Sequence, residues 1–138
     1  MIQGIVVFLI TLLIGFRPAS FAILPLGLLF MFLIAMLFAS VGTAVATQLE
    51  DMQAFPLIIN FLIMPIFFIS GALFPLEGVP ALIGDIAKIN PLSYGVDSLR
   101  GILTGVSHFG LFFDFNILVF ATLVLFILGV YLFSRIEV

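Results

Sequence analysis

The sequence has no cysteine, no tryptophan and a single histidine in 138 residues, and only 8% of it is charged. Without cysteine there is neither a disulfide framework nor a thiolate metal site, and His108 alone cannot make a zinc site. The shortage of charge excludes more. Soluble domains carry about 25% charged and about 45 to 50% apolar residues, whereas this chain is 64% hydrophobic. A water-soluble fold of this size buries roughly two thirds of its surface, and the polar side chains to coat the remainder are missing, so lipid has to be the solvent. Basic residues are scarce as well. Four Lys and Arg against seven Asp and Glu give a net charge of −3, which leaves no basic patch for nucleic acid. No G-x-x-x-x-G-K-[ST] phosphate loop occurs either, and the chain has no cofactor or metal site of its own to read.

Long charge-free runs are what the sequence does have: Met1 to Phe16, Pro18 to Leu49, Met52 to Leu76 and Phe115 to Ser134. A helix needs roughly 20 apolar residues to cross the ~30 Å hydrocarbon layer. Within lipid only helices or closed barrels satisfy the backbone, and these runs lack the period-two alternation of a barrel strand. The expectation is an all-α integral membrane protein, one domain over 1–138, with four transmembrane helices at about 2–16, 21–47, 53–75 and 114–133. The first run is short, and reads as a short or tilted span or as the remnant of a longer one. A signal peptide is disfavoured because the first basic residue, Arg17, follows the apolar run instead of preceding it. In the second run Ala35, Ala39 and Thr43, with Gly42 and Ala46 beside them, form a small-residue stripe suited to close helix packing. In the third, Pro56, Asn60 and Pro65 predict a bent helix with a buried amide, either a hinge or cavity wall or an irregularity absorbed by packing.

Residues 77–114 hold six of the eleven charges, yet apolar residues recur there at helical spacing. Pro80 is placed to open a short interfacial helix over about 80–89, with Leu82, Ile86 and Ile89 on one face and Asp85 and Lys88 off it. Asn90 as N-cap and Pro91 as first helical residue then start a second, over about 91–103, whose apolar face is Leu92, Val96, Leu99 and Leu103. Ser93, Asp97 and Arg100 lie on another face. The i, i+3 spacing of Asp97 and Arg100 predicts an ion pair, exposed and nearly neutral in energy or partly buried at the mouth of a transport route. His108 reads as a solvated loop residue. The charge-free runs contain no Asp, Glu, His or Cys, and Ser40 and Ser70 have no evident base, so enzymatic chemistry is not expected. Eighteen phenylalanines suit an apolar route and suit lipid contact equally.

Two strings carry a resemblance: FISGALFPLEGVP from Phe68 to Pro80, and INPLSYGVDSLRG from Ile89 to Gly101. Together, at this separation, they resemble the closing half of the membrane subunits of type-2 ATP-binding-cassette exporters, the group that includes daunorubicin-resistance permeases. The matching positions are Phe68, Ser70, Gly71, Phe74 and Pro75 in the first string. In the second they are Asn90, Pro91, Leu92, Tyr94, Val96, Asp97, Leu99 and Arg100. The resemblance implies a plasma-membrane, multi-pass permease that moves lipophilic or amphipathic cargo outward by alternating access and performs no covalent chemistry. It implies a second permease copy as dimer partner and a separate cytoplasmic ATPase that binds the ATP. It also implies six spans, of which this sequence matches the last four, with the first two missing, and re-entrant helices on the outer side. Glu50 and Asp51, between the second and third spans, are then possible ATPase contacts or simply acids that end two spans in water. The positive-inside rule, with Arg17, Lys88 and Arg100 on one side and Arg135 on the other, points to the opposite orientation. The competing reading is a stand-alone small multi-span membrane protein, a channel or an assembly factor.

Overall fold

A computed structural model describes residues 2–49, 51, 53–74 and 78–135. Among these residues every regular element is helical and there is no strand, as the apolar runs require. The order is α1 (Ile2–Leu13), a 3-10 turn (Phe21–Ile23) that runs into α2 (Leu24–Ala46), α3 (Phe55–Ile69), α4 (Ala81–Ile89), α5 (Pro91–Thr104) and α6 (Leu111–Phe133). Pro25, Pro56 and Pro91 stand in the first two positions of α2, α3 and α5, where a missing N–H costs nothing.

Two helical segments, Phe21–Ala46 and Leu111–Phe133, are long and apolar enough to cross a membrane. The helices in the other two runs are shorter than those runs. α1 has 12 residues and α3 has 15, which at 1.5 Å per residue reach about 18 and 22 Å of a ~30 Å layer. α1 gives way to a turn at Gly15, whose φ is 106°. α3 stops where the Ser70 hydroxyl takes up the Phe67 carbonyl and the chain turns at Gly71.

α2, α5 and α6 pack on one another. Their core is Phe30 and Leu37 from α2, Ile102 from α5 and Leu118 from α6, and the Phe30 ring meets Phe115 edge-on at 6.0 Å. The small-residue stripe on α2 is not the contact face. Ala39 and Thr43 are exposed and, with Met36, Phe126 and Val130, line an open cavity of about 340 Å³ between α2 and α6. Close approach comes from the other helix: a Cβ on Gly129 of α6 would lie 3.3 Å from the Ser40 carbonyl oxygen, whereas one on Gly42 meets nothing. Gly129→Ala is therefore expected to destabilise the protein by about 1 kcal/mol, and Gly42→Ala to be neutral or slightly stabilising through helix propensity. Far-UV circular dichroism during heating in detergent measures both.

The expected buried amide in α3 is also displaced. No residue of α3 is buried, and Asn60 is exposed, because α3 packs only sparsely on its neighbours. The amide that is buried, at 9% exposure, is Asn90. On α4 the anticipated apolar face is present and uncovered, with Leu82 and Ile89 at 78% and 83% exposure, while Asp85 and Lys88 pair at 2.9 Å on its polar side. Such surfaces are rare in water and ordinary against lipid.

Candidate functional site

The two sequence motifs meet. Asn90 has an extended backbone between α4 and α5, and its Oδ1 accepts the Leu92 N–H at 3.0 Å, capping α5 as its position predicts. The Nδ2 of the same side chain donates to the Ile66 carbonyl at 2.7 Å, a group left over at the end of α3. Further along α5, the Arg100 guanidinium donates to the Gly71 carbonyl at 2.6 Å. Gly71 has φ 78°, a left-handed conformation in which glycine carries no Cβ penalty. It is preceded by Ser70, 1% exposed, whose Oγ donates to the Phe67 carbonyl and accepts from the Ala72 N–H. The Ser-Gly turn of the first motif thus presents the acceptor that the arginine of the second motif reaches.

Tyr94 closes the hairpin from the other side. Its hydroxyl donates to the Lys88 carbonyl at 2.6 Å, and its ring packs against Phe109 and Phe113 with centroids 5.0 and 6.0 Å away. Burial pushes the Tyr94 phenol above its ordinary pKa. At the exposed Lys88, the hydrogen bond to Asp85 raises the ammonium's pKa.

The predicted Asp97–Arg100 ion pair does not form, in either its exposed or its partly buried version. Asp97 is 5% exposed; its two oxygens accept the His108 N–H at 2.9 and 2.8 Å, and Oδ2 also accepts the Phe109 N–H at 2.9 Å. The cause is local supply. α5 ends at Gly105, whose φ of 80° folds the chain back, bringing two N–H groups without helical partners to an acceptor-only carboxylate. Arg100, pure donor, goes the other way to a spare carbonyl. The His108 ring is exposed, as expected, and it is the backbone of His108 that matters.

Among the remaining motif residues, Pro91 opens α5, while Phe68 and Phe74 are 51% and 66% exposed and touch none of these polar groups. Pro75 lies outside the described residues, as does Glu50. Asp51 is exposed and accepts the Gln53 N–H at 2.9 Å, a short-range turn contact.

Sequence reasoning missed three buried polar residues here: Ser93, Ser98 and Asp114, at 1%, 0% and 0% exposure. Ser98 Oγ lies 3.1 Å from Asp114 Oδ2. The available signal was an acid set among phenylalanines four residues after Gly110, in the first turn of α6. The junction holds no group of three or more metal-ligating side chains among the described residues. Chemically it is a fastening: it fixes the α4–α5 hairpin to the end of α3 and the start of α6. Beside it, Phe8, Gly27, Met31, Leu99, Ile102 and Leu103 border an apolar cavity of about 460 Å³ between α1, α2 and α5.

The chain is similar to three proteins named Nodulation protein J. It is 35% identical over 68 residues to that of Rhizobium leguminosarum bv. trifolii, covering 49% of this chain and 26% of the relative. To that of Rhizobium meliloti (strain 1021) it is 32% identical over 76 residues, covering 54% and 29%, and to that of Rhizobium leguminosarum bv. viciae 32% identical over 68 residues, covering 49% and 26%. The match thus spans between a quarter and a third of each relative's length. No solved structure matches. The family described as ABC-2 type transporter matches residues 1–104, a stretch that contains both motifs and the contacts joining them, and the chain, membrane-embedded, belongs to that family.

Proposed function

We propose that this chain is a permease subunit of an ATP-binding-cassette exporter, carrying lipophilic or amphipathic cargo out of the cell by alternating access while a separate cytoplasmic ATPase binds and hydrolyses the ATP. The observation that carries the reading is the junction just described, in which Arg100 of the second family motif hydrogen-bonds to Gly71 of the first, and Asn90 to Ile66 just ahead of it, inside the matched stretch. On this reading the four apolar runs act as four spans, with the two short helices tilted or completed by adjoining residues, and a second permease copy completes the pathway. The chain itself holds no cofactor.

The α4–α5 hairpin lies on the outer side. Two of the three cations that argue otherwise have committed partners: Lys88 pairs with Asp85 and Arg100 is bound to the Gly71 carbonyl. That weakens them as signals of a cytoplasmic face. Residues 47–51 then form the cytoplasmic turn, where the exposed Asp51 is available to the ATPase and Glu50 is proposed beside it.

The test is co-expression with a candidate ATP-binding-cassette ATPase from the same genome, followed by purification in mild detergent. A stable complex is expected. Failure to recover one, while a full-length permease of the same family captures its own ATPase in parallel, overturns the proposal. A stand-alone channel or assembly factor predicts that failure.

A further inference from the structure

The polar groups that the fastening leaves over gather around Asp114, and counting their hydrogens gives an unexpected result. Asp114 is fully buried. Ser98 Oγ lies 3.1 Å from its Oδ2 and 2.7 Å from the Tyr94 carbonyl, one turn back on α5. A hydroxyl has one hydrogen, and the shorter contact is the usual helical bond of a serine to the carbonyl four residues earlier. Ser98 therefore has one hydrogen for two acceptors, and the most it can give Asp114 is a donor shared with the shorter contact to the Tyr94 carbonyl. Asp97, the neighbouring acid on α5, has both oxygens engaged as acceptors of the His108 and Phe109 N–H groups. Tyr94 spends its hydroxyl hydrogen on the Lys88 carbonyl, and Asp114 Oδ1 has no partner among the described residues.

The other charged and titratable groups nearby do not alter the count. Arg100 reaches the Gly71 carbonyl, the His108 ring is exposed against Phe109, and α2, the other helix packed on α6, carries no ionisable side chain. Ser93 Oγ, buried on α5, is likewise without a partner among the described residues, so no described group donates to Asp114 Oδ1.

From this donor count we propose that Asp114 is a proton-binding site, a neutral carboxylic acid whose own hydrogen bonds to Ser98 Oγ or the Asp97 carboxylate and so ties the first turn of α6 to α5. An ionised Asp114 would set two carboxylates side by side with no described cation between them. The contact between Asp114 and α5 is made through that hydrogen, so it persists at acidic and neutral pH and is released only where rising pH removes the proton. The inference does not depend on what the protein transports.

Infrared spectroscopy of the purified chain in lipid at neutral pH tests it without requiring any variant to fold. The expected result is a carboxylic-acid C=O stretch that shifts in deuterium oxide, moves when aspartate carries carbon-13, and stays put when glutamate does. The chain has four aspartates, of which Asp51 and Asp85 are exposed and Asp97 accepts backbone N–H groups with both oxygens. In Ser98→Ala the band should persist at a changed frequency, and in Asp114→Asn, where the amide supplies a donor to the same acceptors, it should vanish. Absence of the band from the unmodified protein overturns the proposal, as does a band that responds only to labelled glutamate or persists in Asp114→Asn.

Discussion

Asp97→Ala is expected to lower the stability of the protein by about 3 kcal/mol and to release the connection between α5 and α6. Two backbone N–H groups, those of His108 and Phe109, give their hydrogens to this carboxylate. A hydrogen bond to a charged acceptor contributes about 1.5–3 kcal/mol, and a buried donor left alone costs about 1–3 kcal/mol. The contacts are partly buried, so water recovers some of the loss and the simple sum of the two is an upper bound. Asp97→Asn keeps one acceptor but turns an NH₂ toward an N–H, donor against donor, and should cost about 2 kcal/mol. Asp85→Asn removes only an exposed contact with Lys88 and is expected to leave the midpoint of thermal unfolding where it was. Heating followed by far-UV circular dichroism ranks the three variants, and hydrogen exchange locates the effect, with protection lost at residues 108 and 109 in Asp97→Ala. In a transport assay the same order is expected, Asp97→Asn impaired and Asp85→Asn not. If both behave alike, Asp97 is a solvated surface acid and the anchoring of residues 105–110 is wrong.

That anchor shows where sequence reading reaches and where it stops. The helical nature of every described element, the cap at Asn90 with Pro91 behind it and the amphipathic face of α4 were all legible, because each depends on residues within one or two turns of one another. The spacing of Asp97 and Arg100 was equally plain and misled, since an i, i+3 pair competes with partners the spacing does not show: two N–H groups folded back by Gly105 and a carbonyl 29 residues away in sequence. The same holds for Asn60 and Asn90. Both are asparagines near proline, and only the packing of the hairpin onto α3 decides which is buried. Asp114 was hidden by its position at the edge of an apolar run, where an acid ordinarily marks the end of a span. The Ala35–Ala39–Thr43 stripe illustrates a different loss. Small residues permit close packing from either helix, and α6 supplied the approach at Gly129, leaving the stripe open.

The joint between the two motifs should fail sub-additively. Arg100 and Asn90 both hold the hairpin to the end of α3, one through the Gly71 carbonyl and the other through the Ile66 carbonyl. Arg100→Met keeps most of the aliphatic stem and removes a charge-assisted bond, for an expected loss of about 1.5–3 kcal/mol. Asn90→Ala loses a neutral bond between helices, of the kind that averages about 0.6 kcal/mol in membrane proteins, together with an N-cap contribution of about 1 kcal/mol. Arginine is thus the stronger fastening and asparagine the one that also shapes α5. Once either is cut, the end of α3 can move away, and the remaining bond no longer holds a fixed partner. The double variant should therefore cost less than the two single losses added together, by at least about 0.5 kcal/mol. Because the Ser70–Gly71 turn is what moves, hydrogen exchange over residues 70–74 should rise in Arg100→Met, while exchange at the Leu92 N–H should rise only in Asn90→Ala. Strictly additive losses, or a turn whose exchange ignores Arg100→Met, would mean that the two motifs lie side by side without being joined.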